Sequence, residues 1–385
     1  MVEIDQSTVL KNVSLEKIIF CEKPSQTIVV PEVDVEAKLH KLTVLPENTI
    51  EKEIYINRTF CGQGMTLECL FDQYWFPEYG FLVSKKGRVW RHSVLGQYGD
   101  PHFLTTGAVG EMKGDDGNET YIFYEHLLKN VPIIYKPTLI TSHYASHNYG
   151  HFMLDMVPII QLGMRLGLNL ASKPLFDWHK LIYQRIGVNP DSVTIISEKV
   201  VFLKKVFVSN RHNAVATGGA SPHHREVFAS IFENIPQSSI RNRPRRRIFL
   251  SRGITRSRNL RNRVALEAML HQEGFETVRP DLLSFDEQAL LFSDADVIVS
   301  EFGALMANVV FCRQGTKVVE IIPEMQNDPW SRHLCASLGL EHVTLCHKVN
   351  DEDRESFDIA GRIHKNIFFS FDANVELIRG VIRQL

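Results

Sequence analysis

The sequence predicts an α/β protein with two parallel sheets covered by helices, preceded by a β-rich segment. From Pro137 onward, short apolar runs alternate with helical stretches of about 10–15 residues, a pattern typical of parallel sheets with helices on both faces. The runs DVIVS (296–300) and KVVEIIP (317–323) are continuously apolar apart from single charges. Strands buried on both faces have this composition. Two such series predict two Rossmann-like domains, with ligands at the carboxyl ends of the strands and an active site in the cleft between the domains.

The length of 385 residues allows two or three domains. Residues 1–135 read as a β-rich N-terminal region, because short β-like runs alternate there with Gly, Pro and Asn. We expect the first Rossmann-like domain at 136–240, the second at 241–370 and a C-terminal helix at 371–385. The β-like runs of the N-terminal region are 27–30, 53–56, 80–83 and 121–124.

Hydrophobic periodicity gives the elements of the two series. The first series has predicted strands at 138–141, 193–196 and 200–208 and predicted helices at 151–168 and 222–235. The second has predicted strands at 247–250, 276–278, 297–300, 318–322 and 343–345 and predicted helices at 260–273, 284–293, 304–311, 330–338 and 374–385. Pro158 is expected to kink the helix at 151–168. Ser284 and Glu287 form a capping-box pattern at the start of the helix at 284–293.

Composition excludes several classes of protein. The hydrophobic fraction of 44% and charged fraction of 23% are those of a globular chain, not of a disordered protein, a collagen or a coiled coil. Mean hydropathy is -0.11, and no apolar run approaches the roughly 20 residues of a membrane-spanning helix. Glu3 and Asp5 stand where a secretory signal would be basic. Six cysteines in a chain of this length predict reduced thiols and a cytoplasmic location.

Charge is balanced overall but not locally. With 43 basic and 45 acidic residues the formal charge is -2, whereas a dedicated nucleic-acid binder is usually basic. Yet the segment 241–263 contains ten arginines and no acid. For 241–246 we favour a solvated linker, with peripheral contact to the inner face of a membrane kept open. Residues 252–263 lie in a strand–turn–helix pattern and favour a local anionic ligand, since guanidinium groups bind phosphate oxygens in pairs.

The segment 142–158 (SHYASHNYGHFMLDMVP) places His143, His147, His151 and Asp155 four residues apart. His151 and Asp155 would share one helix face, where an imidazole and a carboxylate can deprotonate a hydroxyl. Three histidines could also ligate zinc, but only one pair would lie on a regular helix. The third alternative is a structural network in which His151 and Asp155 cap and pack the helix.

Two further segments could bind anions. Ser251, Arg252 and Gly253 follow a predicted strand and precede a helix, a geometry suited to phosphate, although neither a Walker loop nor GxGxxG is present. Gly303 and Ala304 likewise follow a strand. The bland alternatives are solvated arginines in the first segment and helix–sheet packing in the second.

Several polar residues need their own interpretation. Glu320 stands inside an apolar strand, where a carboxylate needs a partner such as a sugar hydroxyl. Asp294 and Asp296 match the DxD of metal-dependent transferases, but they precede a strand and read as a helix end. A set without a paired CxxC reads as core: Cys335, His342, Cys346 and His347.

Taken together, NYGHFMLDMVP, FLSR with RNLRN, the segment 274–311 and GTKVVEIIP resemble glycosyltransferase family 61 over about 139–323. The resemblance implies a GT-B fold and metal-independent transfer, with inversion, of a hexose or pentose from a nucleotide sugar, a UDP-linked one being expected. It implies a glycan or glycolipid acceptor, surface polysaccharide biosynthesis and no further cofactor, while the formal charge of -2 argues against nucleic acid as a partner. It places Asp155 and His151 on the catalytic face, Asp155 being the first choice for the base or else the residue that orients His151. The implied donor residues are Ser251, Arg252, Arg258, Phe302, Gly303, Ala304, Asn308 and Glu320.

One position departs from the family pattern. The family usually has a histidine before the Gly–Ala pair, whereas this chain has Phe302, whose ring cannot donate a hydrogen bond. The departure motivates the alternative of a non-catalytic protein that binds glycans or nucleotide sugars on a degenerate transferase fold. Residues 1–135 lie outside the resemblance and are expected to carry acceptor specificity.

Overall fold

The computed structural model describes the chain in segments, of which the longest are 128–213 and 258–323. The remaining described residues are 13–14, 26–30, 34–36, 59–61, 65–78, 80–85, 109–113, 119–123, 220, 222–236, 244–253, 330–350, 353 and 369–385. The β-like run at 53–56 lies outside the described residues.

The chain divides into two compact units. Unit 1 comprises 1–31 and 64–216, and unit 2 comprises 32–63 and 217–385. Both are mixed α/β, as the sequence predicts. The boundaries expected at 135, 240 and 370 stay predictions.

Unit 1 is built on an eight-stranded sheet. Its strands are β2 (Gln26–Val30), β5 (Met65–Phe76), β6 (Phe81–Ser84), β9 (Ile133–Ile134), β10 (Thr138–Ile140), β11 (Asn169–Ser172), β12 (Thr194–Ile195) and β13 (Val201–Ser209). The order β12-β11-β10-β13 is parallel throughout, and β5 and β2 extend it in antiparallel fashion. Strand β6 pairs with β5, and β9 pairs with β13. A separate three-stranded sheet contains β1 (Val13–Ser14), β7 (Val109–Lys113) and β8 (Glu119–Phe123).

Three α-helical segments belong to unit 1: α1 (Tyr149–His151), α2 (Val157–Arg165) and α3 (Asp177–Arg185). A π-helical turn, Phe152–Met156, joins α1 to α2, so the helix runs through the expected kink. Pro158 has no N–H and its ring crowds the preceding turn. A wider π turn just before it accommodates both defects, and such turns are frequent at functional sites. Neither β11 nor α3 is predicted from the sequence.

Unit 2 contains a five-stranded, wholly parallel sheet in the order β16-β14-β17-β18-β19. The strands are β14 (Arg246–Leu250), β16 (Glu276–Val278), β17 (Ala295–Glu301), β18 (Lys317–Pro323) and β19 (Glu341–His347). Numbered by appearance within this sheet, the order is 2-1-3-4-5, a doubly wound arrangement. Two small sheets pair β15 (Asn259–Leu260) with β20 (Ser370–Phe371) and β3 (Asp34–Glu36) with β4 (Thr59–Cys61).

The helices of unit 2 are α4 (Pro222–Glu233), α5 (Arg263–Gln272), α6 (Phe285–Asp294), α7 (Trp330–Ser337) and α8 (Val375–Ile382). The predicted capping box is confirmed: Ser284 Oγ accepts from the Glu287 N–H, and Glu287 Oε2 accepts from the Ser284 N–H at 2.8 Å. The helix expected at 304–311 is present with the same bounds, Ala304–Phe311, as a 3₁₀ helix. Its β-branched Val309 and Val310 lower α-helix propensity there.

The core of unit 2 packs α5 and α8 against the sheet, with Phe249, Leu266, Val299 and Ile378 fully buried. Strand β17 is buried at six of its seven positions, which explains its continuous apolar composition. Among the described helices, none is both long enough and apolar enough to cross a bilayer.

Candidate functional site

In unit 1, polar side chains gather where the strand order reverses. Strand β10 is followed by β11 and β12 on one side, whereas β13 pairs on the other. At such a switch point the loops after the two neighbouring strands open a crevice at their carboxyl ends. The loop after β10 carries His143, and the turn after β13 carries Arg211 and His212. His212 Nε2 lies 2.9 Å from the carbonyl oxygen of Ile140 and ties the turn to β10.

Asp155 is the centre of this cluster. It lies in the π turn and is fully buried. Its Oδ2 is 3.0 Å from His151 Nδ1 and 3.5 Å from His143 Nε2. Among the described residues, Oδ1 has no hydrogen-bond partner. The carboxylate is therefore held by two imidazoles and is closed off from solvent.

The backbone assigns the proton on His143. The Ala145 N–H donates to His143 Nδ1 at 3.0 Å, so Nδ1 must be the unprotonated nitrogen. The proton is then on Nε2, which points toward Asp155. Burial lowers the pKa of His143, in opposition to the nearby carboxylate, and so favours the neutral ring. His143 has no lone pair left for a substrate.

His151 has the opposite arrangement. Its Nδ1 donates to Asp155, so the neutral ring carries its lone pair on Nε2. The side chain is 24% exposed, whereas those of His143 and Asp155 are at 0%. His151 is therefore the member of the cluster that both reaches solvent and presents a basic nitrogen.

The charge state of Asp155 follows from two opposed effects. Burial would raise the pKa of its carboxyl, but the hydrogen bond from His151 and the nearby His143 ring together outweigh burial and hold the pKa well below its usual range. Fully buried Arg211 is close enough for an electrostatic interaction with Asp155. Asp155 is thus ionised at neutral pH and suited to stabilise an imidazolium at His151.

The unit 2 cluster also lies at a switch point. Strand β14 pairs with β16 on one side and with β17 on the other. Ser251, Arg252 and Gly253 follow β14, while Phe302 and Gly303 follow β17. The Arg252 N–H points to Glu301 Oε1 at 3.3 Å, which joins the two loops.

A buried ion pair supports these loops. Arg263 donates through both terminal nitrogens to the two oxygens of Glu301, the Nη2–Oε2 distance being 3.0 Å. Ser251 Oγ donates to Glu267 Oε1 at 2.8 Å and accepts from the Gly253 N–H at 3.3 Å. Ser251 therefore organises the turn, and bidentate bonding fixes the orientation of Glu301.

Two arginines form the charged part of the cluster. Burial lowers the pKa of Arg252, and burial together with the charge of Arg252 lowers the pKa of Arg258 to about 10. The Arg258 guanidinium lies 5.5 Å from the centre of the Phe302 ring, a cation–π distance. Its buried Nε has no hydrogen-bond partner among the described residues. An anion bound here would relieve the cost of holding two partly buried cations together.

The other predicted donor residues are placed differently. Ala304 begins the 3₁₀ helix beside Gly303. Asn308 Nδ2 donates to Gln288 Oε1 at 2.8 Å in the interior. Buried Glu320 accepts from Ser331 Oγ at 2.6 Å and lies 3.3 Å from His342 Nε2. The structure thus brings together Ser251, Arg252, Arg258, Phe302 and Gly303, and it places Asn308 and Glu320 in other polar clusters.

Asp294 ends α6 as expected, whereas Asp296 is the second residue of β17, so DxD spans a helix–strand junction. The core interpretation is confirmed by burial for Cys335, His342, Cys346 and His347. Where the structure describes side chains, no group of three or more His, Cys, Asp and Glu is arranged to hold a metal ion.

Sequence analysis missed the roles of Arg211, His212, Arg263 and Glu301. For Glu301 a signal was available, because it directly follows the apolar run 296–300, just as Glu320 stands in 317–323. A carboxylate at the end of a buried strand needs a partner. For Arg211 and His212 no such signal exists, since their importance depends on β13 pairing with β10.

Residues 149–319 match the family model named Glycosyltransferase 61. No curated protein matches the chain. The matched range begins at the start of the helix that carries His151 and Asp155 and ends in β18. It contains both clusters, including Arg211, but not His143. This confirms the resemblance seen in the sequence and supports the assignment of the segment 149–319 to glycosyltransferase family 61.

Proposed function

We propose that the protein is an inverting glycosyltransferase in which His151 is the general base and Asp155 positions it. The transferred sugar, a hexose or pentose, comes from a nucleotide sugar and goes to a hydroxyl of a glycan or glycolipid. The observation that carries this proposal is the pair of hydrogen-bond assignments at Asp155. In His143 the lone pair is on Nδ1 and accepts a hydrogen bond from a backbone N–H, whereas in His151 the lone pair is on Nε2.

The reaction balances with these groups. His151 Nε2 takes the acceptor O–H proton while that oxygen attacks the anomeric carbon. The bond from the anomeric carbon to the phosphate oxygen breaks, and the diphosphate leaves with the electron pair. Asp155 stabilises the imidazolium as it forms, as the carboxylate does in Asp–His pairs of hydrolases. Asp155 itself is too buried to touch an acceptor, so the role we give it is positioning.

The leaving diphosphate needs fixed positive charge. Arg252 and Arg258 supply two guanidinium groups, and Glu301, bonded to the Arg252 N–H, fixes the backbone at Arg252. Preorganised donors of this kind are often the largest contribution to catalysis. The cation–π contact with Arg258 gives Phe302 a role at a donor site without a ring N–H.

The finer features belong to the same proposal. A GT-B fold is supported by two sets of parallel strands, β12-β11-β10-β13 in unit 1 and the five-stranded sheet in unit 2, each with polar side chains at its switch point. A UDP-linked donor, metal-independent transfer and surface polysaccharide biosynthesis follow from the family resemblance. A cytoplasmic location is in keeping with the free thiols of Cys69, Cys312, Cys335 and Cys346.

The test is a transfer assay with a panel of nucleotide sugars and of glycan and glycolipid acceptors. Proton NMR of the product reports the anomeric configuration, and EDTA in a parallel reaction reports metal dependence. We expect transfer with inversion that survives EDTA. Nucleotide-sugar binding with no transfer to any acceptor would favour the non-catalytic alternative. Retention of the anomeric configuration would contradict the proposed mechanism, and so would a loss of turnover in the presence of EDTA.

A further inference from the structure

Three aromatic side chains of unit 1, Tyr149, Phe176 and Trp178, form a partly exposed group that we call the aromatic platform. The Phe176 ring is 51% exposed, and Tyr149 and Trp178 are half-buried. The rings of Phe176 and Trp178 are nearly parallel, with 6° between their planes and 6.2 Å between their centres. A single exposed aromatic side chain is ordinary on a protein surface. The two rings, held with their planes nearly parallel, offer their aromatic faces in one orientation.

The platform is rigid because Trp178 is held from several sides. Its ring meets the buried Phe152 ring edge-on at 5.3 Å and lies 5.5 Å from the Tyr149 ring. The neighbouring His179 ring is 3.8 Å away. Aromatic pairs at these distances each add to stability beyond the burial of area. The exposed faces are therefore preorganised and need little ordering when a ligand binds.

Hydrogen bonds connect the platform to the His143 loop. His179 Nδ1 accepts from the Phe176 N–H at 3.2 Å, and His179 Nε2 donates to the Ser146 carbonyl oxygen at 3.0 Å. Ser146 Oγ in turn accepts from the His143 N–H at 2.7 Å. Burial lowers the pKa of His179 to about 4, which keeps this ring neutral and the assignment fixed.

The platform also continues into the catalytic helix. Tyr149 precedes His151 by two residues, and Phe152 directly follows it. The ammonium group of Lys173 is close enough to act electrostatically on both His143 and His179. A flat aromatic face, a nearby cation and a basic imidazole thus lie in one part of unit 1.

We propose that the aromatic platform binds a pyranose ring of the acceptor, an inference that rests on the proposed function. One face of many pyranoses is lined by C–H groups, whose partial positive charge is attracted to the negative face of an aromatic ring. Stacking on Phe176 and Trp178 holds the sugar through its apolar face and leaves its hydroxyls to the neighbouring polar groups. Acceptor recognition is then at least partly located in unit 1 beside the base, within the family 61 segment and not only in residues 1–135.

The test compares Phe176→Ala with Phe176→Tyr, which keeps the ring. A matched control is Tyr135→Ala, because Tyr135 is another exposed aromatic residue of unit 1, at 71%, and lies just before β10 instead of after it. We expect Phe176→Ala to raise the acceptor KM about 3- to 10-fold with little change in donor hydrolysis, the size of one aromatic contact. Phe176→Tyr and Tyr135→Ala should keep the KM of the wild type.

Direct binding separates this proposal from the proposed function. Methyl pyranosides are titrated against the full chain and followed by saturation-transfer NMR, with no donor present. If Phe176→Ala weakens pyranoside binding in a protein that shows no turnover, the platform proposal stands and the proposed transferase function fails. Turnover with an unchanged acceptor KM in Phe176→Ala would remove the platform and keep the transferase.

Two further results would overturn the platform. One is the absence of binding of any pyranoside to the wild-type chain. The other is a dimer, seen by analytical ultracentrifugation, that Phe176→Ala dissociates while the acceptor KM stays unchanged, since the rings would then contact a second copy of the chain.

Discussion

Units 1 and 2 use the same topological position for opposite chemistry. In each, the two loops that meet at the reversal of strand order carry buried polar side chains. In unit 1 a buried carboxylate lies between two imidazoles, whereas in unit 2 two partly buried guanidinium groups lie beside the buried Arg263–Glu301 pair. The comparison teaches that topology fixes where a site forms, while residue type decides whether the site moves a proton or holds an anion.

The largest expected effect breaks the unit 1 site alone. His151→Ala removes the proposed base and should lower kcat by about 100- to 10,000-fold. Asp155→Asn should cause a loss in the same range, because an amide neither fixes the Nδ1–H tautomer nor stabilises an imidazolium. Steady-state kinetics with the active donor measures both variants. His147→Ala is the control. His147 is an exposed histidine of the loop that carries His143, and its Nδ1 lies near the Tyr144 carbonyl oxygen instead of Asp155.

The next effect breaks the unit 2 site alone. Arg258→Gln and Arg252→Gln each remove a charged donor, worth about 1.5–3 kcal/mol, or roughly 10- to 150-fold in affinity for UDP. Calorimetry measures the change. Arg261→Gln is the control from the same arginine-rich segment, because Arg261 is exposed and paired with Asp372. Equal losses in all three variants would reduce the cluster to a general electrostatic effect.

Buried histidines of unit 1 predict a loss of stability in acid. Burial lowers the pKa of His179 and of His212 to about 4, and it also lowers that of His143. Below the unfolded pKa of about 6.5 the unfolded chain binds protons that the folded chain does not. The free energy of unfolding therefore decreases as the pH is lowered. Each of His179 and His212 should cost about 2 kcal/mol between pH 7 and pH 5.

Urea unfolding at the two pH values tests this expectation. His212→Gln removes one titrating ring, so its stability should depend less on pH than that of the wild type. An unchanged pH dependence would show that His212 does not stay neutral in the folded chain.

The smallest effect concerns a glycine outside the family match. Gly80 has φ +75, and a Cβ there would lie 3.0 Å from the Tyr144 backbone nitrogen beside His143. Gly167 has φ +66 and nothing within 4 Å of its Cβ position. Alanine at either site costs about 1–2 kcal/mol of strain. Only Gly80→Ala should also lower kcat, by roughly 3- to 10-fold, because it displaces the loop that carries His143, beside Asp155 and the proposed base His151. Equal kcat values in the two variants would remove Gly80 from the positioning of that loop.

Sequence reasoning worked where the signal is local. The apolar runs of β17 and β18 and the Ser284 capping box are properties of neighbouring residues, and the structure has them where predicted. The helix at 304–311 was predicted but its 3₁₀ type was not, since a choice between α and 3₁₀ depends on packing around a short segment. The strand β11 and the helix α3 were missed for the same reason, because their short apolar patterns gain meaning only from the sheet they join.

The site residues also divide into those with a local sequence signal and those whose role depends on the topology of the sheet. The spacing of His151 and Asp155 indicated one helix face, and they are indeed hydrogen-bonded. Their roles depend on burial and on the Ala145 N–H, which no spacing encodes. The Arg258–Phe302 contact likewise required β14 and β17 to be neighbours. Topology thus supplied what the motifs lacked.

The central claim is that proton transfer and diphosphate binding are divided between the two units. The most direct measurement is a calorimetric titration of UDP into His151→Ala and, in parallel, into Arg258→Gln. The account predicts that His151→Ala, although nearly inactive, binds UDP as tightly as the wild type, whereas Arg258→Gln binds at least about 10-fold more weakly. A weakened His151→Ala together with an unchanged Arg258→Gln would contradict it.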